Sequence, residues 1–443
     1  MIHFSAQRLI GLCGLALASL LAGCGGASST VNPLQASRVV ALGDAFSDVG
    51  NGSLTSLGGR FTINGDGTRT TTINTLATPT TLAETMANFY GLWSTAPMAR
   101  KMTSGVYPSV SLPLTGMVSY AVGNSMINPS ASAWTGDTTV TYRDGLGGTD
   151  PTLRTQVTQF LADGGPRNND LIVVTAGTRD LLSLAVRYLG RTGNTTKKAD
   201  GVTAWTPPTD LVAKLGGELT LTQVSSQLDA VAAEMVTQLD RLITAGAKHV
   251  VVLEPMNLSR TPWGLSLDAT SVTFLRSLSY DTDTNCIKGN NQNSLHCKLT
   301  IALSNKYPPT VYGQKLLAVD LAQYINLMSG TTATGNANTY GSYFTQLPSI
   351  PACSVNPPIA SPMQTRTFGG LSWDASSLST ARTMGCVANA TNPAVSGDDP
   401  WTDWVDTSFN GFMFADNLNL TPQGNALLAN YVFNSSMYRA AWR

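Results

Sequence analysis

The chain has 443 residues, of which 42% are hydrophobic and 12% charged, and its 27 basic residues balance its 27 acidic ones. Globular proteins usually carry about 25% charged residues, so solubility here must depend on Thr, Ser, Asn and Gly. The sequence has no basic run or stripe, which argues against nucleic acid as a partner. The apolar content indicates a globular chain, long enough to bury one large core or two smaller ones.

The N-terminal segment indicates export. Leu9–Gly23 is an apolar run too short to span a bilayer comfortably, and it ends in Leu21-Ala22-Gly23-Cys24. This ending resembles a bacterial lipobox, in which the peptide is cleaved before the cysteine and the thiol then carries diacylglycerol. An ordinary secretory signal with a chance cysteine is the alternative. We expect a signal peptide over 1–23, a tether over 24–37, and an outer-membrane lipoprotein, on the periplasmic side or the cell surface, held by lipidated Cys24.

Strands and helices alternate along the rest of the chain. The predicted elements are a strand at Arg38–Leu42, a helix at Thr152–Leu161, a strand at Asp170–Gly177, helices at about Leu181–Leu189 and at Leu221–Ala245, a strand at His249–Pro255, a helix at Lys315–Met328, and a last helix from the Thr421-Pro422 cap towards Tyr438. Continuous apolar strands between amphipathic helices indicate an α/β protein whose parallel sheet is covered on both faces. We expect one domain over 38–443, with loop insertions near 190–220 and 256–300.

The cysteines of the mature chain predict disulfides. Apart from Cys24, four remain, Cys286, Cys297, Cys353 and Cys386. An even number in an exported chain indicates two disulfides. Among the three pairings, Cys286–Cys297 with Cys353–Cys386 is the most local and is preferred. A zinc site is disfavoured because the sequence has no C-x-x-C spacing, and no metal or other cofactor is expected.

Five segments carry recognisable motifs. In chain order they are Gly43–Asn51 (GDAFSDVGN), Ser119–Ser125 (SYAVGNS), Val173–Leu182 (VVTAGTRDLL), Gly246–Pro262 (GAKHVVVLEPMNLSRTP) and Ala415–Asn425 (ADNLNLTPQGN). Together they resemble the blocks of the GDSL-type (SGNH) hydrolases, in particular the secreted lecithinase-like branch that includes esterase passengers of autotransporters. The resemblance extends from about Val39 to Tyr431. It implies a flavodoxin-like α/β/α sandwich, in agreement with the alternating elements.

At most of the positions that are catalytic in this family, the sequence has a different residue. In the family, a serine attacks an ester, a histidine takes its proton, an aspartate orients the histidine, and a glycine and an asparagine help to bind the oxyanion. The corresponding residues here are Ala45, Asn419, Asp416, Gly123 (give or take one residue) and Arg179. Alanine has no oxygen with which to attack, and an amide cannot act as a general base. Loss of the nucleophile or the base from a triad lowers the rate on the order of 10⁶-fold.

Two interpretations follow. One is a pseudoenzyme, which binds an acyl, lipid or glycan ligand or recruits a protein partner whose nature the sequence does not reveal. The other is a carboxylester hydrolase or lipase in which Ser47 is a displaced nucleophile, although Ser47 is more simply a hydrogen-bonded turn residue. The histidines of the mature chain, His249 and His296, have no sequence support as a base. Arg179 has three interpretations. It fills the pocket that holds the catalytic residues in the family and pairs there with Asp44 or Asp416, or it binds an anionic ligand. The third is a solvated residue at a helix N-terminus.

Overall fold

The first residues that the computed structural model describes lie within the expected tether. The residues that it describes are 33–51, 60, 62–67, 79–94, 97–100, 107–123, 125–127, 151–192, 209, 212, 216–265, 267–280, 286, 294–329, 343–349, 351–352, 366–368, 371–373, 387–389, 409–416, 418–440 and 442. Cys24, Cys353 and Cys386 lie outside these ranges, so lipidation and the second expected disulfide stay predictions.

Strands and helices alternate over most of the described chain. The strands are β1 (Arg38–Gly43), β2 (Asn64–Gly67), β3 (Met98–Ala99), β4 (Gly116–Ser119), β5 (Asp170–Thr175), β6 (Val250–Leu253), β7 (Leu316–Val319), β8 (Arg366–Phe368), β9 (Leu371–Trp373) and β10 (Val387–Asn389). The α-helices are α1 (Leu82–Phe89), α2 (Leu153–Ala162), α3 (Thr178–Thr192), α4 (Leu221–Thr244), α5 (Pro262–Leu265), α6 (Ala269–Ser279), α7 (Leu295–Lys306), α8 (Leu321–Ser329) and α9 (Pro422–Tyr431). Short 3-10 helices cover Leu258–Arg260 and Phe409–Gly411, and α9 continues as a π-helix over Val432–Met437.

The main sheet has six parallel strands in the order β3-β4-β1-β5-β6-β7. Without the short edge strand β3, this is the flavodoxin-like order 2-1-3-4-5. The chain therefore starts near the middle of the sheet, moves to one side, and then returns across β1 to build the other side. Elsewhere β2 pairs with β10 and β8 pairs with β9.

The sheet lies between two helical layers. Alternate side chains of β1 point to opposite faces: Val40 and Leu42 belong to one apolar cluster, and Val39 and Ala41 to the other. The first cluster includes buried residues of α2, α3, α4, α6 and α7, and the second includes residues of α1, α8 and α9. The result is a three-layer α/β/α architecture, as the apolar strand runs predicted.

The last helix begins where the sequence indicated. Thr421 is its N-cap, its hydroxyl accepts a hydrogen bond from the N–H of Gly424 at 3.1 Å, and Pro422 occupies the first turn. Proline fits there because its missing N–H would have no partner within the helix. The Thr-Pro pair is therefore a local signal that tertiary packing does not override.

Two expectations about the fold are corrected. The predicted helix Lys315–Met328 is a strand followed by a helix, because Asp320 separates β7 from α8 and its carboxylate accepts the N–H of Gln323 at 2.9 Å. The stretch 256–300, expected to be a surface insertion, contributes the buried residues Trp263, Leu275 and Leu295 to the core. Its short helices were not predicted because each buries only one face, so the composition of the stretch is mostly polar.

Among the described residues, no helix is both long enough and apolar enough to cross a bilayer.

Candidate functional site

The candidate site lies at the carboxyl ends of β1 and β5. The strand order reverses direction between these strands, and ligands of open α/β sheets bind in the crevice at such a point. Gly43 ends β1 with φ +119°, and a Cβ on it would lie 1.6 Å from the carbonyl oxygen of Thr175. Only glycine fits this turn, which brings β1 close to β5 and then turns the chain into the crevice.

The turn places Ala45, and not Ser47, towards solvent. Ala45 is partly exposed, whereas Ser47 is fully buried. The Ser47 hydroxyl accepts a hydrogen bond from Thr175 Oγ1 at 2.8 Å, and the Ser47 carbonyl accepts one from Ser119 Oγ at 2.7 Å. These contacts match the role of a hydrogen-bonded turn residue.

Asp48 organises the loop that follows. Its Oδ1 accepts the N–H groups of Gly50 and Asn51 at 2.8 and 2.6 Å, and its Oδ2 accepts the N–H of Gly123 at 2.8 Å. The amide that the resemblance assigns to an oxyanion hole is thus occupied by a carboxylate of the protein itself. An oxyanion at Ala45 would have to compete with Asp48 for this donor.

Asn419 occupies the position expected for the base and is bound to Asp416. Asn419 Nδ2 donates to Asp416 Oδ2 at 3.0 Å, and Asp416 Oδ1 accepts the N–H groups of Leu418 and Asn419 at 2.7 and 2.6 Å. Both side chains are buried. The carboxylate that would orient an imidazole therefore orients an amide, which has no proton to exchange near neutral pH.

Arg179 lies in the first turn of α3, at the end of the loop that follows β5. Its exposed fraction is 6%, which excludes the interpretation of a solvated arginine at a helix N-terminus. Its neighbour Asp180 is also buried, and Asp180 Oδ2 accepts the N–H of Ile127 at 2.9 Å. The start of α3 is therefore packed against the loop that follows β4, with Arg179 inside the protein.

Asp44 is a buried acid next to Ala45. Burial raises the pKa of its carboxyl from 3.8 to about 7, against the opposing effect of a hydrogen bond from the Phe46 N–H. That bond is 3.3 Å long, and the negative charge of Asp180 raises the pKa further. A substantial fraction of Asp44 is therefore protonated at neutral pH.

Backbone hydrogen bonds bring three of the five motifs together. The Val122 N–H donates to the Gly43 carbonyl at 2.9 Å, and the Asp44 N–H donates to the Thr175 carbonyl at 2.7 Å. The last motif instead packs beside α1, where Asn425 Nδ2 donates to the Thr80 carbonyl at 2.9 Å. The loops after β1, β4 and β5 thus line the switch-point crevice.

One expected disulfide is present. Cys286 and Cys297 are bonded across a sequence separation of 11 residues. This pairing removes both cysteines from the alternative of a zinc site, because disulfide sulfur is not a thiolate ligand. Cys297 lies in the first turn of α7, so the bond anchors the start of that helix.

A second group of polar residues at the same edge of the sheet was not predicted from the sequence. Glu254 follows β6, Asp320 follows β7 and His296 lies in the first turn of α7, and their ligand atoms lie within 4.8 Å of one another. The available signal was an acidic residue directly after each of two neighbouring strands. The other histidine, His249, packs edge-on against Trp442 with ring centroids 5.2 Å apart, and burial lowers its pKa.

The comparisons with known proteins do not assign a family. No protein-family model matches the chain, and no curated protein matches it.

Proposed function

We propose that the protein is a lipid-anchored SGNH/GDSL-like protein that has lost Ser-His-Asp ester hydrolysis and acts by binding. The switch-point crevice, lined by Ala45 and the loops that follow β4 and β5, is its binding site. An acyl, lipid or glycan group is the proposed ligand. Cys24, carrying diacylglycerol, would hold the domain at the outer membrane within reach of such ligands.

The hydrogen bond between Asn419 and Asp416 carries this proposal. In a working triad the carboxylate holds a base that can accept the nucleophile's proton. Here the amide of Asn419 occupies the carboxylate at 3.0 Å and cannot accept a proton at neutral pH. Ala45 at the nucleophile position agrees with this loss, and so does the engaged amide of Gly123.

The alternative is a working hydrolase that uses Ser47. Its hydroxyl is fully buried and already accepts a hydrogen bond from Thr175 at 2.8 Å. A nucleophile must meet the substrate carbonyl and have a base within hydrogen-bond reach. The burial of Ser47 therefore favours the binding protein over the displaced-nucleophile enzyme.

Ester hydrolysis by three forms of the protein tests the proposal. The chain is expressed with its own signal, purified in detergent, and assayed with short- and medium-chain p-nitrophenyl esters. We expect no turnover above buffer from the wild type and none from Ser47→Ala. The triple variant Ala45→Ser/Arg179→Asn/Asn419→His restores the family residues and should hydrolyse the esters at least ~10²-fold faster than the wild type, a fraction of what a complete triad provides.

Two controls separate the outcomes. The double variant Ala45→Ser/Arg179→Asn keeps Asn419 and should stay inactive, because a serine without a base gains little. Wild-type turnover that Ser47→Ala abolishes would refute the pseudoenzyme and establish Ser47 as the nucleophile. A triple variant that folds but stays inactive would argue against the SGNH arrangement of positions 45 and 419.

A further inference from the structure

We propose that His296 and Asp320, with Glu254 behind the imidazole, form a binding site for a divalent transition-metal ion, with Zn²⁺ as the best-matched ion. This site is separate from the switch-point crevice and does not depend on the function proposed for it. Glu254 and Asp320 each follow a strand of the sheet, and the Glu254 N–H donates to the Val319 carbonyl at 3.0 Å. The two acids therefore lie side by side at the sheet edge where α/β proteins bind ligands.

The imidazole of His296 is oriented for coordination. Its Nδ1 lies 2.5 Å from Glu254 Oε2, and in this pair the Nδ1–H group donates a hydrogen bond to the carboxylate oxygen. The opposite nitrogen, Nε2, lies on the side of Asp320. Metal-bound histidines commonly donate their second N–H to a carboxylate, which fixes the tautomer and raises the basicity of the ligating nitrogen.

The distance between His296 Nε2 and Asp320 Oδ2 fits two atoms that share one ion. They are 3.9 Å apart, too far for a hydrogen bond. Zinc ligands lie about 2.0–2.2 Å from the ion, so two of them at a tetrahedral angle are about 3.4 Å apart, roughly 0.5 Å closer than these atoms. An ion between Nε2 and Oδ2 would bridge the gap without a large movement of either side chain.

Charge and ligand type select the ion. Glu254 and His296 are 3% and 4% exposed, so the carboxylate lies in a poorly solvated position where a divalent cation would be strongly favoured. An imidazole nitrogen with carboxylate oxygens suits Zn²⁺ and its neighbours in the first transition row, whereas Mg²⁺ and Ca²⁺ prefer oxygen alone.

The surrounding structure holds the histidine in place. Ser294 caps α7 by accepting the N–H of Cys297 at 3.2 Å, and Cys297 is bonded to Cys286. The ring of Tyr280 is stacked with that of His296, with centroids 6.2 Å apart. Such support favours a preformed site, since the ligand need not be ordered when the ion binds.

Titration of the full chain with ZnCl₂ tests the site. The exported protein is purified in detergent in its oxidised form, its free thiols are alkylated, and binding is followed by isothermal calorimetry. We expect one Zn²⁺ per chain, no comparable binding of Mg²⁺, complete loss in His296→Gln and at least ~10²-fold weaker binding in Asp320→Asn. Removal of the supporting carboxylate in Glu254→Gln should weaken binding about 10–100-fold. His249→Gln is the matched control and should bind as the wild type does.

A structural measurement on the unaltered chain keeps the proposal testable if a variant fails to fold. Crystals soaked in ZnCl₂ should show an anomalous peak between His296 Nε2 and Asp320 Oδ2. No saturable binding by the wild type would overturn the proposal and leave His296 as an imidazole clamped between two carboxylates. Binding that survives in folded His296→Gln, or a peak elsewhere, would also overturn it.

Discussion

The two polar regions at the carboxyl edge of the sheet differ in the chemistry of their side chains. At the switch-point crevice, the turn after β1 exposes Ala45, whose methyl group can neither attack a carbonyl nor exchange a proton. One and two strands beyond β5 in the sheet order, at the ends of β6 and β7, Glu254 and Asp320 form a compact titratable group with His296. The same α/β framework thus presents an alanine where ligands of such folds usually bind, and a group of titratable side chains further along the same edge.

The difference shows that a site must be judged by its side chains and not by its place in the fold. Backbone and side-chain contacts of Gly43, Asp48 and the Thr175 carbonyl hold the turn at the crevice in place. None of these contacts needs a nucleophile. At the second region, the backbone carries no motif, and only the juxtaposition of three side chains indicates chemistry.

The largest expected effect is at the crevice turn. Gly43→Ala would place a Cβ 1.6 Å from the Thr175 carbonyl oxygen at a φ that disfavours alanine. The β1–β5 contact must then open, and we expect the free energy of unfolding to fall by more than about 4 kcal/mol. Gly246→Ala is the control: it has φ +102° with nothing within 4 Å of the added Cβ, and should lose about 1–3 kcal/mol. Equal losses in urea unfolding would show that the close approach is unimportant.

The variant Asp44→Asn should be more stable than the wild type at high pH. The folded carboxyl has a pKa of about 7, against an ordinary value of 3.8. Its contribution to stability is therefore complete below pH 3.8 and is lost as the pH rises through 7. Asparagine does not titrate and still accepts the Phe46 N–H, so at pH 8 the variant should exceed the wild type by about 4 kcal/mol.

Urea unfolding at pH 4 and pH 8 measures this difference. The gain should be near zero at the lower pH and appear at the higher one. Asp229→Asn is the control, because the Asp229 side chain is 64% exposed. A gain that is the same at both pH values would mean that Asp44 is not the titrating group.

The smallest expected effect is at the second region. Glu254→Gln replaces a charge-assisted hydrogen bond to His296 by a neutral one, and in the presence of EDTA should lower the free energy of unfolding by about 1–3 kcal/mol. The comparison variant is Glu234→Gln, whose partner Arg154 is 52% exposed; exposed pairs contribute below about 1 kcal/mol. If thermal unfolding ranks the two variants the other way, burial does not strengthen the Glu254–His296 contact.

Local signals explain what the sequence could predict. Asp170–Thr175 and Val250–Leu253 are continuous apolar runs, and a buried parallel strand is their simplest interpretation. Thr421-Pro422 specified a helix start through its own hydrogen-bonding groups. Leu316–Val319 was missed because four apolar residues before an amphipathic helix continue its spacing.

The second region could not be predicted because no local rule connects its members. Glu254 and His296 are 42 residues apart in sequence, and only the pairing of β6 with β7 brings Asp320 beside them. By contrast, the motifs identified Ala45 and Asn419 directly as the positions of the family's nucleophile and base. The sequence could not predict the hydrogen bond from the Gly123 N–H to Asp48, because this contact depends on how two loops pack.

The Cys286–Cys297 disulfide lies directly beside one member of the second region, His296. Cys297 is the immediate neighbour of His296 and lies within the same helical turn. Protein disulfides form and persist in oxidising compartments, whereas thiols are kept reduced in the cytosol. The segment that carries His296 therefore reaches its cross-linked form only under oxidising conditions. Oxidation, as well as folding, therefore determines when the start of the helix that carries His296 is anchored.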